Sequence, residues 1–129
     1  MLNITRLNPT KSRIEMDCSI NGRTFLLWVD TGSPNTLVHS NMADALKIPT
    51  VKGMTSSGKV AGKEFQKRPA ITLPSLVIPN CQPLRNIRAI AALDGDEWKD
   101  IVILGLNALN HLVYKIDRSR TALLNGWKH

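Results

Sequence analysis

The stretch of this 129-residue chain best suited to chemistry is Asp30-Thr31-Gly32-Ser33, which follows the apolar run Thr24-Phe25-Leu26-Leu27-Trp28-Val29. A carboxylate at the end of a buried strand loses hydration and must be hydrogen-bonded to stay charged, and the backbone N–H groups and hydroxyls of the next three residues are placed to do so. An acid held in this way serves as a general acid or base toward a water molecule or a polarised carbonyl. The same residues would also serve a plain turn in which Asp caps the bend and Gly32 supplies backbone freedom. A second element tips the balance: far downstream, the apolar run Ile101-Val102-Ile103-Leu104 ends at Gly105, just ahead of a Leu-rich segment.

Other chemistries have little support. The three histidines, His39, His111 and His129, form no H-E-x-x-H pattern, and the two cysteines, Cys18 and Cys81, form no C-x-x-C pair. No metal site and no cofactor is therefore expected, and both cysteines read as reduced, partly buried residues. The formal charge of +7 comes from basic residues dispersed along the chain rather than gathered in a stripe with aromatics. Dispersed charge favours acidic partners at long range and gives no nucleic-acid footprint, so none is expected.

No apolar run approaches the ~20 residues needed to span a bilayer, and residues 1–13 carry no hydrophobic export signal. The expectation is a soluble, cytoplasmic chain without a membrane segment. With 43% apolar and 21% charged residues, the length fits a single core, so residues 1–129 read as one domain.

Positioning Asp30 requires strands. Ile14, Met16 and Cys18 alternate with polar residues up to the turn signal Asn21-Gly22, which predicts a hairpin into the apolar run before Asp30. That run predicts a strand buried on both faces, with Asp30 at its inner end. Thr36-Leu37-Val38-His39 predicts a returning strand, and Asn41 caps a predicted helix over 42–47. Residues 52–63, rich in Gly, Ser and Lys, predict a mobile hairpin. Two strands broken by Pro74 and Pro79 follow, then one over 87–91, a loop over 94–100, the second fully apolar strand, a helix, and a terminal hairpin through Tyr114 and Leu124. Many short strands, two short helices and no repeated βαβ unit predict a mostly β fold closed into a barrel.

Taken in order, Leu27-Trp28-Val29-Asp30-Thr31-Gly32-Ser33, then Thr55-Ser56-Ser57-Gly58, then Ile103-Leu104-Gly105 resemble the retropepsin family of aspartic proteases and its bacterial and retroelement relatives. The resemblance implies a closed β acid-protease fold in which Asp30 is the catalytic carboxylate. It further implies that Thr31 links two catalytic loops across a dimer, Gly32 lets the loop turn, and Ser33 hydrogen-bonds the carboxylate and so favours a more acidic working range. Thr55, Ser56, Ser57 and Gly58 would form a flap over substrate, and Ile103, Leu104 and Gly105 would pack beside the catalytic loop. The implied function is an aspartic endopeptidase acting on peptides or proteins. The alternative is a catalytically inactive dimerisation or peptide-binding module of the same fold.

The mechanism of that family needs two carboxylates, and this chain holds a single Asp-Thr-Gly. The second must come from an identical copy, which implies a homodimer. Residues 1–9 and 122–127 are the implied dimer contact.

Overall fold

The computed structural model describes residues 3–6, 14–79, 81–117 and 122–127, with side chains described for 14–79 and 81–111. The hairpin signals operate where expected. Strand β2 (Ile14–Ile20) turns through Asn21 and Gly22 into β3 (Arg23–Val29), the two pairing antiparallel from Ile14↔Val29 to Ile20↔Arg23. Both turn residues have positive φ, 51° and 82°, the conformation that an Asn-Gly hairpin turn requires.

Next come β4 (Thr36–His39) and the short helix α1 (Met42–Leu46). Asn41 stands at the N-cap of α1 without a side-chain cap bond, and its own N–H donates instead to His39 Nδ1 at 3.1 Å. A long hairpin, β5 (Thr50–Val60) and β6 (Lys63–Val77), leads to β7 (Leu84–Leu93). A 3-10 turn (Asp96–Trp98), β8 (Ile101–Leu104) and α2 (Leu106–Leu109) complete the body. Strands β1 (Asn3–Arg6), β9 (Leu112–Asp117) and β10 (Ala122–Trp127) form a separate three-stranded antiparallel sheet in the order β1-β10-β9, so the expected terminal hairpin is present and the N-terminal strand pairs with it.

The larger sheet has seven strands in the order β2-β3-β8-β4-β7-β6-β5. Because β2 also pairs with β6 through Ser19↔Val77 and Ile20↔Leu76, the sheet closes on itself and β5 extends from the ring. The fold is mostly β, as the sequence predicts, with two short helices.

Pro74 does not break a strand. The strand runs on through it: β6 pairs with β7 at Leu73↔Ile87 and again at Ser75↔Arg85, and Pro74 itself falls between the paired positions, where its missing N–H removes no bond from the ladder.

Alternation sorts the side chains into two apolar clusters. Phe25, Leu27, Val29, Val38, Ala91, Val102 and Leu104 point to the main core, where each fully buried Leu contributes about 1.5–3 kcal/mol. Leu37, Ile90, Ala92 and Ile103, with Phe65 from the long hairpin, point to the other face. β4 and the last three residues of β8 are therefore buried on both sides. β3 is not: Leu26 and Trp28 are only half-buried, and Trp28 borders an open cavity rather than a second layer.

Neither Cys18 nor Cys81 is in a disulfide. Cys18 is buried, and that burial first, then the charge of Asp17, pushes its pKa up to about 12 from an ordinary 9.0. The unfolded chain gives up this proton near pH 9 while the folded chain keeps it, so stability falls as pH rises from about 9 toward 12. Native protein treated with iodoacetamide at pH 8 should label at half-buried Cys81, with Cys18 reacting only on unfolding; equal labelling rates would contradict this placement.

Candidate active site

Three strand ends meet at one place. β3 and β8 run parallel, with Val29 opposite Leu104, so Asp30 and Gly105 emerge side by side. β4 runs antiparallel to β8 with Leu37 opposite Ile103, which brings its first residue, Thr36, to the same spot. The loop from Asp30 to Asn35 is thus pinned at both ends by the strand that leads into Gly105.

Backbone bonds knit the two segments together. Asp30 N–H donates to Leu104 O at 3.0 Å, Leu106 N–H to Ser33 O at 2.8 Å, and Asn107 N–H to Pro34 O at 3.2 Å. The Thr36 hydroxyl, fully buried, accepts from Gly105 N–H at 3.2 Å and donates to Asn107 Oδ1 at 2.9 Å, while Asn107 Nδ2 donates to Arg88 O at 2.8 Å. Replacing Thr36 by Val leaves the buried Gly105 N–H unsatisfied and should cost about 1–3 kcal/mol. Urea unfolding would measure it, and a wild-type midpoint in Thr36→Val would show that the hydroxyl is dispensable.

The Asp30 carboxylate accepts from Gly32 N–H at 2.9 Å, and a tight turn is closed by Ser33 N–H donating to Asp30 O at 3.2 Å. Two expectations are corrected here. Asp30 is exposed, because it lies one residue past the last paired position of β3. The Ser33 hydroxyl does not reach the carboxylate: it donates to Asn35 O at 2.7 Å, since the turn that brings Ser33 N–H back to Asp30 O aims the side chain onward. Ser33 therefore supplies no hydroxyl hydrogen bond to the carboxylate that would favour a more acidic working range.

Asp30 opens into a cavity of about 420 Å³, within the ~300–1,000 Å³ usual for ligand sites. Its lining includes Trp28, Leu37, Trp98 and Ile103 on one side, and Lys59, Val60 and Ala61 from the long hairpin on the other. The rings of Trp28 and Trp98 meet edge to face, with centroids 5.2 Å apart. The hairpin tip is Ala61-Gly62, both at positive φ (49° and 78°), and Thr55, Ser56, Ser57 and Gly58 lie in the β5 arm of the hairpin. Gly58 answers a different need: opposite Phe65, a Cβ would come within 3.0 Å of that ring.

An ion pair ties the hairpin's second arm to the loop carrying Trp98. Arg68 bonds both carboxylate oxygens of Asp94, and these hydrogen bonds, with help from the Ser40 hydroxyl, hold the Asp94 carboxyl below its ordinary range. Among the described residues no cluster of His, Cys, Asp and Glu could hold a metal ion, and no helix is long and apolar enough to cross a membrane.

Trp28, Lys59, Val60, Ala61 and Trp98 escape a reading by sequence. Trp28 had a usable signal, since two-residue alternation puts it on the face of Asp30. Ala61 had little, because Ala is an uncommon residue for a turn with positive φ.

A sequence model of the family described as "gag-polyprotein putative aspartyl protease" matches residues 16–111, which span the Asp30 loop, the long hairpin and Gly105. The chain belongs to that family. Its fold agrees. A retropepsin-like aspartic protease from Rickettsia conorii superposes with a TM-score of 0.70 at 23% identity, covering 98% of this chain and 91% of that one. The retroviral protease-like domain of Ddi1 from Leishmania major gives 0.56 at 15% identity, over 93% and 97% of the two chains. EIAV protease, in complex with the inhibitor HBY-793, gives 0.55 at 15% identity, over 78% and 88%. No curated protein matches the sequence. The retropepsin-like resemblance read from the motifs and the fold class therefore hold for this gag-type aspartyl protease family member.

Proposed function

We propose that this protein is an aspartic endopeptidase that acts as a homodimer, with Asp30 of each copy meeting at the two-fold axis. The observation that carries the reading is the exposed Asp30 carboxylate, fixed by Gly32 N–H at the mouth of a cavity roofed by the β5–β6 hairpin. Exposure in one subunit is what a site completed by a second copy requires, and the single Asp-Thr-Gly leaves no other source for a second equivalent acid.

In the pair, two close carboxylates share one proton, because like charges at short range cannot both ionise. The ionised Asp30 takes a proton from a water as its oxygen attacks the scissile carbonyl carbon. The protonated Asp30 donates to the carbonyl oxygen, giving a neutral tetrahedral diol. Collapse of the diol breaks the C–N bond, with the amine nitrogen taking a proton from the first carboxyl and the hydroxyl returning one to the second. Thr31, exposed beside Asp30, is the residue assigned to link the two loops across the axis, and Gly32 holds the carboxylate in place. The cavity-facing end of the hairpin, from Lys59 in β5 to Ala61 in the turn, serves as the flap that excludes water. The sheet of β1, β10 and β9 is assigned to the subunit contact.

The test is cleavage of an unfolded protein between about pH 4 and 7 over a dilution series. Specific activity should fall once the concentration drops below the dimer dissociation constant, in step with sedimentation. Activity independent of concentration in a sedimenting monomer would exclude the shared site.

A further inference from the structure

Residues 94–100 are exposed apart from Trp98, which is half-buried. Only the Trp98 ring is packed, so the polar anchors of this loop decide where that ring stands. The turn closes on one carbonyl: Gly95 O accepts from Trp98 N–H at 3.2 Å and lies 3.1 Å from His39 Nε2. Asp96 and Lys99, on either side of Trp98, line a second cavity of about 190 Å³ together with His39, so packed side chains do not back the turn there.

His39 reaches Gly95 through the strand register. β4 and β7 run parallel, with Val38 opposite Ala91 and His39 opposite Leu93, so Ala92 is passed over. That one-residue shift brings the end of β7 alongside the end of β4, where Ser40 N–H donates to Leu93 O at 2.8 Å. His39 is 8% exposed, and both of its ring nitrogens are used. A backbone N–H can only donate, so Nδ1, which receives Asn41 N–H at 3.1 Å, is the bare nitrogen. The neutral ring then carries its proton on Nε2 and donates it to Gly95 O. Trp98 lines the Asp30 cavity and His39 does not.

We infer that His39 is a positioning residue of the Asp30 site: its bond to Gly95 O fixes the turn that sets Trp98 edge to face against Trp28, and that pair is the surface on which a bulky apolar side chain of the substrate rests. This deepens the reading proposed above and rests on it for cleavage, but not for the placement of Trp98. A histidine that merely fills the interior would act on stability alone, whereas a positioning one acts on substrate through Trp98.

Two fluorescent peptides of equal length, with Leu-Phe or Ala-Ala at the centre, are assayed for kcat and KM with wild type, His39→Asn, His39→Gln, Trp98→Leu and the double variant His39→Asn/Trp98→Leu. The same substitutions in Asp30→Asn protein are assayed for peptide binding by anisotropy. Circular dichroism reads the exciton signal of the Trp28–Trp98 pair, with Trp98→Leu as the blank, and NMR of the imidazole nitrogens reads the tautomer of His39 in wild type. His39→Asn keeps an acceptor for Asn41 N–H, but its shorter amide does not reach Gly95. The exciton signal should shrink, and KM for the Leu-Phe peptide should rise about tenfold, with kcat changed by about twofold or less and the Ala-Ala peptide little affected. His39→Gln, whose amide nitrogen takes the place of Nε2, should keep the signal and most of the affinity. In the double variant KM should match that of Trp98→Leu, since one path carries both effects. A ring protonated on Nδ1, loss of the exciton signal in folded His39→Gln, or effects of the two substitutions that add would each overturn the inference. If His39→Asn does not fold, the tautomer and the His39→Gln signal decide. An exciton signal and peptide binding that depend on His39, without cleavage of either peptide, would sustain the inference while removing the endopeptidase reading. Cleavage with signal and KM unchanged in His39→Asn would do the reverse.

Discussion

Replacing Asp30 by Asn should abolish peptide cleavage, lowering kcat by at least about a thousandfold, while leaving the folded subunit intact. The carboxylate is exposed and accepts one hydrogen bond, from Gly32 N–H at 2.9 Å, which the amide oxygen of Asn can accept equally well. What the amide cannot do is take a proton from water or hold the shared proton at the axis. The thermal midpoint should therefore move by no more than a few degrees, and retained activity in a folded variant would end the proposal.

Mixing sharpens the same prediction. If wild-type and Asp30→Asn subunits exchange freely at equal amounts, about a quarter of the dimers carry two carboxylates. Activity should settle near that fraction of an equal total of wild-type protein. Half would mean that each subunit works alone, and the counting argument from a single Asp-Thr-Gly would fail.

The second large effect is expected at Gly105. Its φ of −99° is ordinary extended backbone, so the position does not need glycine for its conformation. It needs glycine for space: a Cβ there would lie 2.1 Å from Asn35 O, 2.4 Å from Asn35 C and 2.8 Å from Ser33 O, all backbone atoms. No side chain can rotate to relieve the clash, so in Gly105→Ala the Asp30 loop must part from the start of α2. The bonds from Leu106 N–H to Ser33 O and from Gly105 N–H to the Thr36 hydroxyl are strained or lost with it. A destabilisation of about 3 kcal/mol or more is expected, about 10 °C in thermal midpoint, with cleavage falling further because Asp30 moves. Gly58→Ala is the internal comparison. There the nearest atom is Phe65 Cζ at 3.0 Å, on a ring that can tilt, so the loss should be distinctly smaller. Equal midpoints for Gly105→Ala and wild type would show that the two loops are not locked together as described.

Much of the site was legible because its parts are local. A carboxylate after an apolar run, a glycine that tightens the following turn, and a second apolar run ending at Gly105 are each visible within a few residues. The exact turn of the hairpin was not legible, because it uses Ala61 at positive φ. The more conventional turn residues, Ser57 and Gly58, instead serve an arm where Gly58 makes room for Phe65. Reading β3 as doubly buried failed for a related reason. Apolar content reports what a residue tolerates, and here Trp28 borders a cavity rather than a second layer.

By itself the sequence determined the chemistry available and the scaffold class. Side-chain alternation and turn residues act over short stretches of chain, and they specify strands, a mostly β fold and one acid poised after a strand. Tertiary structure alone decided which distant pieces meet: that Thr36 and Asn107 bond across the base of the loop, that Trp98 reaches Trp28, and that Lys59 lines the Asp30 cavity. Those contacts depend on sheet order, with β8 inserted between β3 and β4. Strand pairing is set by the summed burial of two apolar faces, a property of the whole chain that no short window contains.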